Sequence, residues 1–117
     1  MIVELSYPDM SLMPNKKNGT HWAKTKGAKD AAFSEAFYRT KMALNGLKFH
    51  DDKIALTITF VQSDKRKRDL DNLLSCIKSK LDGVSRAIGI DDRYFEPITI
   101  KRAYNKEQSA TIIELVQ

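Results

Sequence analysis

The segment KIALTITFVQ (residues 53–62) carries the clearest structural signal in the chain, because its side chains alternate between two kinds. Ile54, Leu56, Ile58 and Phe60 fall on one face, and smaller or more polar residues fall on the other. Such alternation is typical of a strand that is buried on one face only. We therefore expect a sheet with its core on one side.

Helical periodicity flanks this strand on both sides. Upstream, we expect a helix that begins at Asp30, ends at Asn45-Gly46 and packs its aromatic stripe on the sheet. Downstream, we expect a second helix with Asp71 as its N-cap and its end at Asp82-Gly83. The apolar positions that repeat at helical spacing are Phe33, Ala36, Phe37, Thr40 and Leu44 in the first helix, and Leu70, Leu73, Leu74, Ile77, Leu81 and Val84 in the second.

The rest of the chain completes an α+β pattern. Residues 2–7 read as a short strand, and residues 8–29 as a long, basic, irregular loop. Residues 97–104 and 110–116 read as two strands, most simply paired as a hairpin. The predicted order is β-α-β-α-β-β, in a two-layer sandwich with two helices on one face of a mixed β-sheet. At 117 residues, we expect one domain spanning residues 1–117.

Composition narrows the functional classes. Twenty Lys and Arg against fifteen Asp and Glu give a net charge of +5, which favours a polyanionic partner. Cys76 is the only cysteine, so an intrachain disulfide is excluded, nothing suggests a thiolate metal site, and a reducing cytoplasm fits. The apolar stretches are only as long as strands, so neither a membrane location nor an export signal is expected.

The chemistry is concentrated in KRKRDLDNL (residues 65–73), where four consecutive cations directly precede Asp69 and Asp71. In an extended segment these two carboxylates project to the same side. A second acidic pair, Asp91-Asp92, follows downstream, and one of its members is expected to join them. Three converging carboxylates suit Mg²⁺. The same residues also fit a helix cap, a solvated turn and a solvated run of charge.

Two segments, KRKRDLDNL and GIDDRYFEPITIKR (residues 89–102), make the sequence similar to the RusA family of Holliday junction resolvases. These are Mg²⁺-dependent endonucleases of DNA recombination and repair in bacteria and their phages and prophages. The resemblance covers the whole chain by element order and length. It implies a Mg²⁺ cofactor, branched DNA such as a four-way junction as substrate, and symmetric nicks. Because two equivalent strands are cut, it also implies a homodimer with two-fold symmetry.

The resemblance assigns the essential carboxylates to Asp69, Asp71 and Asp92, with Asp91 as the second choice for metal binding. Asn72 matches a family position that supports the site or starts the helix. The family lysine four residues after the second aspartate is absent, because that position is Ser75. Lys78 lies one helical turn further along the same face as Asp71 and Ser75 and is a candidate substitute, although it also fits a solvated helix lysine.

Further basic residues are candidates for DNA contact. Arg66, Lys67 and Arg68 would supply a positive field for phosphate, and Lys16, Lys17, Lys24 and Lys26 could track the backbone from the N-terminal loop. Two other functions fit the same residues. One is a nucleic-acid-binding module without catalysis, and the other is a carboxylate-metal phosphatase acting on small molecules.

Overall fold

The structure is a computed structural model that describes residues 1–14 and 22–117, with side chains from residue 25 onward in the second range. It confirms the α+β class and the mixed sheet, whose strand order is β1-β4-β2-β3. In chain order the elements are β1 (Ile2–Leu5), a 3₁₀ turn (Met10–Leu12), α1 (Trp22–Leu44), β2 (Ile54–Gln62), α2 (Leu70–Cys76), α3 (Lys78–Ile88), a second 3₁₀ turn (Asp92–Tyr94), β3 (Phe95–Tyr104) and β4 (Ala110–Val116).

Strand β2 lies inside the sheet, with β3 on one side and β4 on the other. The predicted alternation is confirmed, because its four large apolar side chains are at most 1% exposed and the residues between them are half-buried. At its C-terminal end the pattern changes, and Val61 and Gln62 are both buried. The strand is therefore held on two edges by backbone hydrogen bonds and on one face by the core.

The predicted hairpin between the last two strands is wrong. β3 pairs in parallel with β2, from Leu56 opposite Ile98 to Gln62 opposite Tyr104. β4 lies on the other side of β2, antiparallel to both β2 and β1. Burial explains this arrangement, because most β4 side chains are covered while β3 is exposed along most of its length, as suits an edge strand.

The first helix begins at Trp22, so the irregular loop predicted for residues 8–29 is wrong over residues 22–29. A short 3₁₀ turn also interrupts the segment before it. Residues 25–29 are mostly exposed and so carry no apolar stripe, but the segment WAKTKGAK is rich in Ala and Lys, which are good helix formers. The predicted end is confirmed, because Asn45 and Gly46 have φ angles of 42° and 88°.

The second predicted helix is divided at Ile77 into α2 and α3, and it ends at Gly89 rather than at Gly83. Gly89 adopts a left-handed φ of 74°, and its amide donates to the Ser85 carbonyl. Gly83 is instead buried in α3 where this helix meets α1. A Cβ atom at Gly83 would lie 2.5 Å from the Phe33 carbonyl oxygen, so the glycine permits the close approach of the two helices.

A buried lysine joins α3 to both α1 and the end of β1. Lys80 is 2% exposed, and its ammonium donates to the carbonyl and the hydroxyl of Ser6. Glu35 of α1 lies 3.5 Å from the ammonium and accepts two hydrogen bonds from Ser6. Burial lowers the pKa of Lys80, an effect that Glu35 opposes. Burial alone would raise the pKa of Glu35, but the Ser6 hydrogen bonds and Lys80 lower it overall.

No helix in residues 1–14 or 22–117 combines the length and apolarity that crossing a membrane requires.

Gly83→Ala should lower the free energy of unfolding by about 1–3 kcal/mol, because the added methyl group overpacks the contact between α1 and α3. Gly27→Ala is the matched control, since a Cβ there meets nothing within 4 Å. That change should leave stability unaltered or raise it by up to about 1 kcal/mol. Urea denaturation measures both, and equal effects at the two positions would contradict the packing role of Gly83.

Glu35→Gln should lower the free energy of unfolding by about 3 kcal/mol at neutral pH, because it leaves the buried Lys80 ammonium without a counter-charge. The lowered pKa of Glu35 contributes stability above its usual value of 4.5, and this contribution is lost as pH falls through the lowered value. The difference between wild type and variant should therefore shrink in acid. Glu4→Gln, at an exposed neighbouring carboxylate, should change neither the free energy of unfolding nor its dependence on pH.

Candidate functional site

The loop between β2 and α2 contains the basic residues 65–68, and its backbone is fixed from three directions. The buried Gln62 amide donates to the Arg66 carbonyl at 2.9 Å, and the Arg66 amide donates to the Asp64 carboxylate at 3.1 Å. Arg102 of β3 donates to the Arg68 carbonyl at 2.9 Å. The cations of this loop are therefore presented from an ordered backbone.

The four cations do not have equal roles. Arg68 forms two hydrogen bonds with Asp64, at 2.8 and 3.3 Å, and its guanidinium lies 5.8 Å from the centre of the Tyr7 ring. The hydrogen bond from Arg68 is the main cause that lowers the pKa of Asp64. Arg68, which we predicted to contact phosphate, thus has an internal partner, whereas Lys65, Arg66 and Lys67 are exposed.

The first acidic pair lies at the start of α2. Asp69, rather than the predicted Asp71, occupies the N-cap position, and its side chain makes no capping hydrogen bond. Asp71 lies in the first turn, and between them Leu70 is half-buried, as expected. Both carboxylates are exposed, and neither has an ion-pair or side-chain hydrogen-bond partner among the residues that the structure describes. Helix capping therefore does not account for these two aspartates.

The second acidic pair divides into two roles. Asp91 accepts a hydrogen bond from the Arg93 amide at 2.9 Å and so caps the 3₁₀ turn. Desolvation and the neighbouring Asp91 raise the pKa of Asp92, and Asp82 adds to this effect, whereas Lys78 opposes it. Because Asp91 is engaged in the turn, Asp92 is the member of the pair that is better placed for an external ligand.

These carboxylates match Mg²⁺ in chemical type, but the expected group of three is not assembled. In residues 1–14 and 22–117, no three or more His, Cys, Asp and Glu side chains form a group that could hold a metal ion. The convergence of Asp92 on Asp69 and Asp71 is therefore not found. Mg²⁺ often binds through one or two carboxylates together with waters and substrate phosphates, so the exposed pair Asp69 and Asp71 suits that mode in ligand type.

The supporting positions differ from what a continuous helix predicted. Because the helix breaks at Ile77, Lys78 is the first residue of α3 and does not continue a face from Asp71 through Ser75. Its charge instead acts on Asp92. Asn72 is half-buried in α2, and Ser75, which replaces the family lysine, is exposed.

Of the four N-terminal lysines, Lys26 is the one whose side chain lies in the described part of the chain. Lys16 and Lys17 lie outside the described residues, and Lys24 belongs to α1 with its side chain outside the description. Lys26 is exposed and pairs with Asp30 at 2.8 Å, one helical turn away. Its charge is thus partly neutralised on the surface of α1.

The structure also contains a cleft that the sequence did not indicate. It has a volume of about 340 Å³ and is lined by residues 62, 64–67 and 102–104. We name it the Tyr104 cleft. It forms because the parallel pairing of β2 and β3 places the ends of both strands together. The sequence singled out the basic residues 65–67 as candidates for DNA contact. It did not place Arg102 and Tyr104 beside them, because these two residues lie far away along the chain.

Comparison with known proteins adds a relative but no function. No family model matches the chain. It is similar to an uncharacterized protein of Xylella fastidiosa (strain Temecula1), with 33% identity over 94 residues. The match covers 78% of this chain and 60% of the relative, so the chain spans less than two thirds of the relative's length.

Asp91→Asn should lower the pKa of Asp92, because it removes the nearest negative charge, and Lys78→Ala should raise it by removing a positive one. Titration of the carboxyl ¹³C signals by NMR, without divalent metal, measures both shifts. Glu114→Gln, at an exposed carboxylate on β4, serves as the control and should leave the Asp92 titration unchanged. If both test variants titrate as wild type does, the side chains are arranged differently in solution.

Proposed function

We propose that this protein is a Mg²⁺-dependent endodeoxyribonuclease of the RusA type, which resolves four-way DNA junctions by paired, symmetric nicks. The observation that supports this best is the strand-to-helix junction, where three exposed cations lead into two exposed aspartates that have no described partner. The resemblance of KRKRDLDNL and GIDDRYFEPITIKR to the family points to the same activity.

The proposal gives each charged group a role. Asp69 and Asp71 would hold Mg²⁺ together with waters and a substrate phosphate, and the chemistry gained there would be an activated water and stabilised charge on the reacting phosphate. Asp92, the third carboxylate that the resemblance implies, does not converge on this pair in the described part of the chain. Lys65, Arg66 and Lys67 attract the phosphodiester through their charge. Asp64, Arg68 and Arg102 keep the loop in place. Lys78 offsets the negative charge around Asp92.

The proposal extends to assembly and location. Symmetric nicking requires two active sites related by a two-fold axis, so a homodimer is part of it. The two-layer sandwich and a reducing cytoplasm, where a single buried cysteine persists as a thiol, belong to the same expectation.

A binding module without catalysis explains the cations but not the aspartates. Two exposed carboxylates next to a phosphate-binding loop would repel DNA unless a cation lies between them and the phosphate. In a metal-dependent nuclease the bound ion lies between carboxylate and phosphate and removes this repulsion, so the aspartates have a role. We therefore favour the nuclease.

Asp69→Asn and Asp71→Asn should each reduce Mg²⁺-dependent nicking of a four-way junction at least about a hundredfold, a typical loss when one electrostatic group is removed from an active site. The assay uses a synthetic junction labelled on each of its four strands, incubated with and without Mg²⁺. Wild type should give paired nicks at equivalent positions in two strands.

Glu114→Gln is the matched control, because it removes an exposed carboxylate on β4 and should retain wild-type nicking. Binding of each variant to the junction is measured in EDTA to separate catalysis from affinity. Full nicking by Asp69→Asn or Asp71→Asn would refute the mechanism. The binding module predicts that wild type itself makes no nicks.

A further inference from the structure

The Tyr104 cleft combines positive charge and an aromatic ring in one place. Exposed Lys65, Arg66 and Lys67 supply positive charge on one wall, and the end of β3 supplies an aromatic ring and Arg102 on the other. Its volume of about 340 Å³ lies near the lower end of the range for small-ligand sites, roughly 300–1,000 Å³. A cleft of this size and charge suits a small anionic group that also has a flat surface.

The ring of Tyr104 is available for stacking. Tyr104 is 51% exposed although it is a large aromatic residue, and the Lys65 ammonium lies 5.3 Å from the centre of its ring. The ammonium lies over one face of the ring. Proteins that bind single strands stack bases on exposed aromatic rings within positively charged grooves.

The cleft also includes an unsatisfied acceptor. Gln62 is 5% exposed, and its amide nitrogen donates to the Arg66 carbonyl, but its Oε1 has no hydrogen-bond partner in the described part of the protein. Buried acceptors without a partner are uncommon in proteins.

We infer that the Tyr104 cleft binds one unpaired deoxynucleotide of the DNA substrate, with the base stacked on Tyr104 and the adjoining phosphate held by Lys65 and Arg66. The identity of the strand rests on the proposed function, whereas the binding itself requires neither metal nor cleavage. Lys65 and Arg66 of the cleft precede Asp69 by only a few residues in the same loop. The bound nucleotide would therefore lie next to the segment that carries the proposed acidic site.

A single nucleotide explains the cleft better than a duplex or a free anion does. In a duplex each base is stacked on its neighbours, so its face is closed to Tyr104. A free phosphate would use the cations but not the ring. A four-way junction offers bases at its crossover that can leave the stack at a lower cost than bases within a continuous duplex.

The test compares Tyr104→Leu and Tyr104→Phe for binding to a four-way junction with 2-aminopurine at the crossover, in EDTA and in an Asp71→Asn background. Stacking on Tyr104 predicts a change in 2-aminopurine fluorescence on binding, which Tyr104→Phe keeps and Tyr104→Leu loses. Fluorescence anisotropy should show affinity falling about tenfold for Tyr104→Leu, as for the loss of one stacked base. Tyr38→Leu, at a tyrosine of 65% exposure on α1, is the matched control and should bind as wild type does.

Salt dependence separates stacking from charge. Tyr104→Leu should keep the wild-type slope of log affinity against log salt, whereas Lys65→Ala should reduce that slope by about one.

Wild-type affinity and fluorescence for Tyr104→Leu, with circular dichroism confirming the fold, would overturn the assignment. Tyr104-dependent binding without any nicking by the parent protein would reject the nuclease and leave the cleft standing. Symmetric nicking by the parent protein, with no effect of Tyr104→Leu on binding, would support the nuclease and reject the nucleotide site in the cleft.

Discussion

The parallel pairing of β2 with β3 is the constraint on which the proposed sites depend. Two parallel strands end at the same edge of a sheet, so the basic loop that follows Gln62 and the last residues of β3 meet there. Arg102 consequently reaches the Arg68 carbonyl, and Tyr104 lies beside Lys65. An antiparallel hairpin of β3 with β4 would not require β3 to end beside this loop.

The charges of KRKRDLDNL make sense once the loop is divided into internal and external groups. Asp64 and Arg68 neutralise each other and, together with Gln62 and Arg102, fix the backbone. The remaining cations and the two aspartates face solvent. An ordered loop holds these charges in place, which lowers the entropy that a bound strand must lose. The positive and negative side chains of this loop then fit a site in which a metal cation lies between a phosphate and the carboxylates.

The contact between α1 and α3 is held by a glycine and the ion pair of a buried lysine. Gly83 allows the two helices to approach closely, and the buried Lys80 ties α3 to Ser6 and Glu35. The beginning of α3 carries Lys78, the turn after its end carries Asp92, and the charge of Lys78 opposes the rise in the pKa of Asp92. The sequence identified both residues but not this relation, because it did not reveal the helix break at Ile77.

The sequence by itself determined the features that depend on local chemistry: the alternation of β2, the end of α1 at Asn45-Gly46, and the placement of Asp69 and Asp71 where a helix begins. It did not determine that β3 pairs in parallel with β2 instead of antiparallel with β4, because both segments are strand-like in sequence and the difference in how much the core covers them appears only in the fold. Gly83 was likewise read as a stop, since a glycine at a helix end and one at a helix crossing look alike in a sequence. Tertiary structure decided these points because long-range burial selects among arrangements that local propensity leaves equivalent. The Tyr104 cleft, built from segments far apart in the chain, follows from that selection.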